Sequence, residues 1–387
     1  MSNSFFNDHT MKHTTNVLII GGGVIGCAIA YHLRKLNIAV TVLDQGEIGA
    51  QASSAAAGLL APLGSLSGPG PLADLVLASF ALFPSLVPEL EDISGIHVEY
   101  EQTGALRTVC NPKRIASLRQ RMQAWQPLGL QMHWLTGEEA HQREPLLALD
   151  ICAAIYAPEE SQIKAPQLVK AFAHAATNLG ATLHNQTEIT SIQHRNSIVT
   201  GISTATGETL ACDHLIIASG AWAARCSDWL DIPLPVSPQR GQILSLSQPA
   251  PPSPSLRHII FGEAIYLAPK AGSTIIVGAT KEEVGFDTRI TASGIAWLLN
   301  TAIKLTPPLQ HSALEATWAG LRPKTPDTLP ILGPAPNLQN VTLATGHNSI
   351  GILLSAITGQ TIAELVATNR TPPLIHPFSP TRFSLPP

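Results

Sequence analysis

The chain has 387 residues, too many for one ordinary compact core and enough for about two domains at roughly 100–200 residues each. It is 45% hydrophobic and only 13% charged, which argues against long disordered regions. A net charge of −4 and the lack of any basic stripe argue against a nucleic-acid-binding surface. Cys27, Cys110, Cys152, Cys212 and Cys226 are widely spaced and form no C-x-x-C. That pattern speaks against a disulfide framework or a metal site and fits a reducing cytoplasm.

Residues 1–13 read as a polar tail. The most membrane-like run, residues 16–33, is split by four glycines and followed by Arg34-Lys35. It therefore reads as neither a signal sequence nor a membrane span. Val17 to Ile20 has the character of a buried strand in a parallel sheet. Gly21-Gly22-Gly23-Val24-Ile25-Gly26 satisfies G-x-G-x-x-G, Cys27 to Lys35 continues as a helix, and Ala39 to Leu43 is a second strand ending at Asp44-Gln45. In such a unit Gly21 makes the tight turn, Gly23 admits a pyrophosphate to the backbone, and Gly26 lets helix and strand approach. The pyrophosphate then rests on the positive end of the helix, and Asp44 can accept from a ribose diol. The motif alone does not separate NAD from FAD.

Residues 52–62, ASSAAAGLLAP, are small enough for backbone to approach a flat ring system, with Ser53 and Ser54 able to bond phosphate or ribitol oxygens. An alanine-rich helix start with serine caps is the alternative. Further on, the sequence predicts a helical stretch over 72–90 interrupted by Pro84 and Pro88, a strand over 98–109, and helices over 112–125 and 167–179. A hairpin pair follows at 189–193 and 198–204, then a short buried strand over 214–220 ending in Ser219-Gly220-Ala221-Trp222. From 233 to 317, strand pieces surround one helix, 293–305, and 248–255 is a proline-rich loop. Arg322 is conspicuous in WAGLRPKTPDTLPILG: from Leu298 to Gly333 the only other lysine or arginine residues are Lys304 and Lys324. It could pair with Asp327, reach solvent, or bind a ligand carboxylate. A closing helix spans 351–366. No internal repeat is present.

The segments GGGVIG, SSAAAGLLAP, EAIYLAPK, IIVGAT with VGFD, WAGLRPKTPD and GH with GILL occur in that order. They resemble the D-amino-acid oxidase superfamily of flavoproteins, most closely the glycine oxidases linked to thiamine biosynthesis, over about residues 17–365. The resemblance implies an α/β fold with two discontinuous domains. One is a Rossmann-like FAD-binding domain (14–85, 152–222, 318–370). The other is a substrate domain with a mainly antiparallel sheet (86–151, 223–317), and 1–13 and 371–387 are left as tails.

It also implies noncovalent FAD, since no cysteine precedes the T-P-D element. The FAD contacts it implies are Gly21, Gly23, Val24, Ile25, Gly26, Asp44, Gln45, Ala52, Ser53, Ser54, Ala57, Gly58 and Leu59. Ile189 falls near the adenine, and Ser219 and Gly220 are where the chain returns to the cofactor. His347, Asn348, Ser349, Ile350, Gly351, Ile352 and Leu353 wrap the flavin, with a helix end aimed at its pyrimidine edge. Arg322 matches the arginine that holds the substrate carboxylate, and Tyr266 matches a pocket residue that helps bind it.

Two departures bear on substrate. Ser349 and Ile350 stand where the pattern G-H-x-R-N-G-I-L has arginine and asparagine. Lys281 stands where a small or apolar residue is usual, and reads as either a solvated lysine at a strand end or a cation near the pocket. The activity implied is oxidation of glycine or an N-substituted glycine by hydride transfer to flavin. Dioxygen is the second substrate, and the products are a 2-oxo acid, ammonia or an amine, and hydrogen peroxide. D-amino-acid or sarcosine oxidation, a dehydrogenase feeding a quinone or partner subunit, and a redox-silent nucleotide binder are the alternatives. The implied enzyme is cytoplasmic, needs no metal, and could act as a monomer or a homo-oligomer.

Overall fold

The computed structural model describes residues 14–249 and 254–383. Thr14–Ile20 pairs in parallel with Val40–Leu43 on one side and with Thr209–Ile217 on the other. Val341–Thr345 extends the parallel sheet beyond Thr209–Ile217, Thr182–His184 extends it beyond Val40–Leu43, and Ile331–Pro334 closes one edge antiparallel. The hairpin Ile189–Arg195 and Ile198–Thr204 hangs from the early residues of Thr209–Ile217. Runs of Val, Ile and Leu give these strands two buried faces, as a parallel sheet needs. One face is covered by helices Val24–Lys35, Pro71–Ser94, Ala165–Asn178 and Gly351–Thr368, which share one core with it.

The second sheet also has eight strands. Its order is Leu314–Lys324, Ser237–Ser247, Thr274–Gly278, Tyr266–Lys270, Ile259–Phe261, Ala105–Val109, Ala153–Ala157, His133–Thr136. All neighbours are antiparallel except Ile259–Phe261 with Ala105–Val109. Helix Ala292–Leu305 packs on it through Leu298 and Ala302. The fold is thus mixed α/β, with one parallel-centred and one mainly antiparallel sheet.

Several boundaries differ from the sequence reading. Ala153–Ala157 and the whole of Leu314–Lys324 hydrogen-bond in the second sheet, whereas the sequence placed 152–157 and 318–324 with the nucleotide unit. Both strands lie where the chain crosses between sheets, and hydrophobic pattern does not say which sheet a strand joins. Pro84 and Pro88 do not interrupt their helix, which runs unbroken over Pro71–Ser94. The two prolines are exposed and four residues apart, so water can satisfy the freed carbonyls while Phe83, Leu86, Val87 and Leu90 hold the other face in the core. Of the strand expected over 98–109, only Ala105–Val109 forms.

Residues 371–383 are no loose tail. Ile375 and Phe378 are fully buried, and Arg382 Nε donates to Asp327 Oδ2 at 2.7 Å. Residues 1–13, 384–387 and the middle half of the proline-rich loop, 250–253, lie outside the described residues. Pro71–Ser94 and the closing helix are long and apolar enough to cross a membrane. They pack on one another instead, with Ser79 Oγ donating to Leu353 O at 2.6 Å.

Candidate active site

The first strand ends in a turn that only glycine permits. Gly21 has φ +110°, and a Cβ there would lie 2.4 Å from Ala218 O. A Cβ on Gly26 would lie 1.9 Å from Gly21 O, so the helix can begin this close to the strand only without a side chain. Asp44, at the end of the second strand, ties the loop down: Oδ2 accepts from Gly22 N at 2.7 Å and Oδ1 from Gly46 N at 2.8 Å. Helix Val24–Lys35 has no acid in its first turn and no capping side chain from Gly23. Ser53 Oγ instead accepts from Val24 N at 3.0 Å. The result is a positive helix end beside small, polar residues, which suits a phosphate.

From this loop a cleft of about 330 Å³ runs between the sheets. Such a volume is ordinary for small-molecule sites. Around the glycine turn it is lined by Gly21, Gly23, Val24, Ile25, Asp44, Gln45 and Ile189, with Ser53 and Ser219 against the turn itself, and its wall includes Ala52, Ala57, Gly58, Leu59 and Gly220. At the other end stand Tyr266, Arg322, His347, Asn348, Ser349, Gly351 and Ile352. The buried Ser219 hydroxyl has only the weak thiol of Cys226 beside it, a polar atom available to a ligand. A long cleft with a phosphate-suited end, a wall of small residues and a second helix end fits FAD. That second end belongs to Gly351–Thr368, whose first turn again carries no acid and whose start, Ile350, offers no side-chain cap.

Five expected residues do not line the cleft. Gly26 acts through close helix contact, and Ser54 Oγ turns away to donate to Gly49 O at 2.5 Å. Ile350 and Leu353 pack into the core on the helix side. Lys281 is exposed and outside the cleft, so the pocket-cation reading is corrected. The physical reason is alternation: Thr280 and Glu282 turn inward to bond Gln242 and Arg240, which sends Lys281 to solvent between them.

Arg322 and Tyr266 reach the cleft from different strands of the second sheet. Asp327 is engaged by Arg382, and among the described residues no carboxylate pairs with Arg322. Its Nη1 donates to the Thr280 carbonyl at 3.0 Å. Burial lowers its pKa from the ordinary value, the nearby Tyr266 opposing. Burial likewise pushes the Tyr266 phenol up to about 12, with Arg322 opposing, so the hydroxyl keeps its proton. His347 is buried with Nε2 3.2 Å from Thr358 Oγ1, and burial holds its pKa down at about 3, so the ring is neutral.

The cleft also includes residues that the sequence reading did not single out as ligands. Trp222, Arg225, Cys226 and Trp229 come from the turns Gly220–Cys226 and Ser227–Leu230, just past the carboxyl end of a central parallel strand. That location is the general ligand-binding edge of such sheets and could have flagged them. Gly241 is a glycine inside a strand, itself a signal of close approach. A Cβ there would lie 2.4 Å from Arg322 Nη2, and one on Gly278 would lie 2.2 Å from the Tyr266 hydroxyl.

Comparison with known proteins agrees with this geometry. The sequence model of the FAD dependent oxidoreductase (DAO) family matches residues 16–365. The glycine oxidase of Geobacillus kaustophilus is 37% identical over 96% of this chain and 98% of its own. Its crystal structure superimposes with a TM-score of 0.91, covering 96% of this chain and 99% of that one. The bifunctional protein ThiO/ThiG of Trichormus variabilis is 37% identical over 96% of this chain, which spans only 55% of that longer protein. The hydrogen cyanide synthase subunit HcnC of Pseudomonas aeruginosa is 33% identical over 96% of this chain and 97% of its own. A cleft shaped for a dinucleotide, a near-complete family match and a shared fold have one reading: the chain is a flavoenzyme of the DAO family of FAD-dependent oxidoreductases.

Proposed function

We propose that this enzyme oxidatively deaminates glycine or a small N-substituted glycine, giving a 2-oxo acid with ammonia or an amine. The observation that carries the reading is Arg322, a guanidinium lining the cleft with no acid bonded to it among the described residues. A planar fork of donors with a charge that does not titrate suits a carboxylate better than any other small group. The similarity to glycine oxidases supports glycine-type substrates.

In this reading Gly21, Gly23, Val24 and Ser53 would hold the FAD pyrophosphate and Asp44 a ribose, with the helix beginning at Gly351 turned to the ring. FAD, when bound, supplies the two-electron acceptor for the substrate Cα–H and hands those electrons to dioxygen as hydrogen peroxide. The chain's own part is binding and orientation. Arg322 grips the carboxylate, and Tyr266, protonated throughout the neutral range, adds a hydrogen bond. Fixing both fixes the Cα–H direction, an effective-concentration effect. Neutral His347, bonded to Thr358, shapes the wall and moves no proton. The substrate amine therefore has to bind in its neutral form.

The proposal further takes FAD as noncovalent and places the enzyme in the cytoplasm, a reducing setting that five cysteines without a disulfide suit. A second reading, a dehydrogenase passing electrons to another carrier, has support in the similarity to HcnC. Stoichiometry decides: one peroxide formed per glycine consumed under air is the oxidase result. Glycine-dependent reduction of an added quinone with no peroxide would transfer the assignment to the dehydrogenase.

A further inference from the structure

Arg322 is held by main chain. Nη1 donates to Thr280 O at 3.0 Å, with Arg240 O a further 3.5 Å contact. Both carbonyls belong to a polar network just behind the cleft wall. The Arg240 guanidinium is buried, with Nη2 2.6 Å from Glu282 Oε2 and Nη1 3.3 Å from Asp287 Oδ2. Nη1 also reaches the carbonyls of Asp287 at 3.3 Å and Arg289 at 3.0 Å. Glu282 Oε1 accepts from Gln242 Nε2 at 2.8 Å and from Thr280 Oγ1 at 2.5 Å. Thr280 Oγ1 accepts in turn from Gln242 N at 2.8 Å. The main chains of Arg240 and Glu282 exchange a pair of bonds at 2.9 and 3.0 Å. Glu282 thus touches, by side chain or backbone, both residues whose carbonyls receive Arg322.

We propose that Glu282, outside the cleft, is a positioning residue that sets the orientation of the Arg322 fork through Arg240 and Thr280. The inference rests on the reading that Arg322 binds the substrate carboxylate. Its logic is electrostatic. An acid placed directly on Arg322 would orient it but compete with substrate for the same donors. Neutral carbonyls orient the fork and leave its charge free, while the carboxylate sits one layer back on Arg240. Gly241, between Arg240 and Gln242, gives the guanidinium its seat. Partial burial works against ionised Glu282, yet bonds from Arg240, Thr280 and Gln242 hold its carboxyl below the ordinary range. A bidentate contact tolerates little displacement, so loosening this layer costs binding geometry.

The test is steady-state glycine kinetics, with FAD content measured alongside, for Glu282→Gln, Glu282→Asp, Thr280→Val, Arg322→Ala and the Glu282→Gln/Arg322→Ala double variant. Glu282→Gln is expected to raise KM roughly ten- to a hundredfold, the scale of a small misplacement, and to lower kcat because the same fork sets the Cα–H direction, with bound FAD little changed. Glu282→Asp should recover part of that loss. Thr280→Val, which spares the Arg240–Glu282 pair and decides the matter if Glu282→Gln fails to fold, should raise KM less but in the same direction. On the Arg322→Ala background Glu282→Gln should add nothing. A raised KM in Arg322→Ala with wild-type KM in Glu282→Gln and Thr280→Val would overturn this inference alone. Wild-type KM in Arg322→Ala would overturn the carboxylate reading and this inference with it.

Discussion

Arg322 and Gly241 are diagonal neighbours across the paired strands Leu314–Lys324 and Ser237–Ser247, in which Gly241 faces Gly320 and Gln239 faces Arg322, and the guanidinium leans across to Gly241. A single methyl at Gly241 would meet all three terminal atoms of the guanidinium, at 2.4 to 2.7 Å. Gly241→Ala is therefore expected to push the fork aside, raising KM for glycine while FAD stays bound, and to cost about 1–3 kcal/mol of stability as overpacking does. Unchanged KM with full FAD content would show that the guanidinium's present seat does not matter. Arg322 itself could be suspected from sequence by its isolation among apolar residues and prolines. Its actual holders could not, because carbonyl acceptors belong to every residue and leave no signature. Between its two sequence readings Lys281 takes the solvated one, for a reason sequence does not show: past the end of Thr274–Gly278 the inward and outward alternation is set by bonds to Arg240 and Gln242, about forty residues away in the chain.

The elements were easiest to read where period and punctuation agree. The first strand, the glycine turn and the following helix form a local unit, and Asp44 closes it. The helix with Pro84 and Pro88 shows the opposite case, in which tertiary burial of one face overrides a local breaker. Burial also leaves a pH signature at this scale. His214, on the central strand Thr209–Ile217, pairs through Nε2 with Thr342 Oγ1 at 2.8 Å, and burial holds its pKa at about 4 against an ordinary 6.5. His32 and His347 are depressed similarly, to about 4 and about 3, with burial the main cause in both. As pH falls through about 6.5 the unfolded chain takes up these protons and the folded chain does not. Stability therefore declines between about 6.5 and 4 for His214 and His32 and on to about 3 for His347, and is insensitive to these groups above that window. Urea unfolding of the apoprotein across this range should show a smaller acid loss in His214→Asn, which can still bond Thr342. An equal loss would mean that His214 titrates alike in both states.

Across the molecule, the strand that carries Arg322 packs against the small-residue segment that follows the nucleotide unit. Trp318 Nε1 donates to Ala55 O at 3.0 Å, and a Cβ on Gly320 would lie 2.6 Å from that of Ala55. The same strand thus carries Arg322 and presses against the segment whose small residues suit a flat cofactor ring. The carboxyl-terminal residues serve the other side of the structure, with Phe378 fully buried in the main helical core. Phe378→Ala should cost about 3–5 kcal/mol, the usual penalty for emptying a buried aromatic site, read as a lowered denaturation midpoint. No change would mean that the segment is the loose tail its proline-rich sequence suggested. That sequence, TPPLIHPFSP, gave no periodicity to follow, so its docking was not legible.

If Arg322 holds a glycine-type carboxylate against FAD, glycine alone must reduce the flavin. The most direct measurement is flavin absorbance when the FAD-loaded enzyme is mixed with glycine without oxygen. Bleaching should saturate with glycine in the wild type and need far higher glycine in Arg322→Ala. Flavin that stays yellow with glycine and with every N-substituted glycine tried would contradict it.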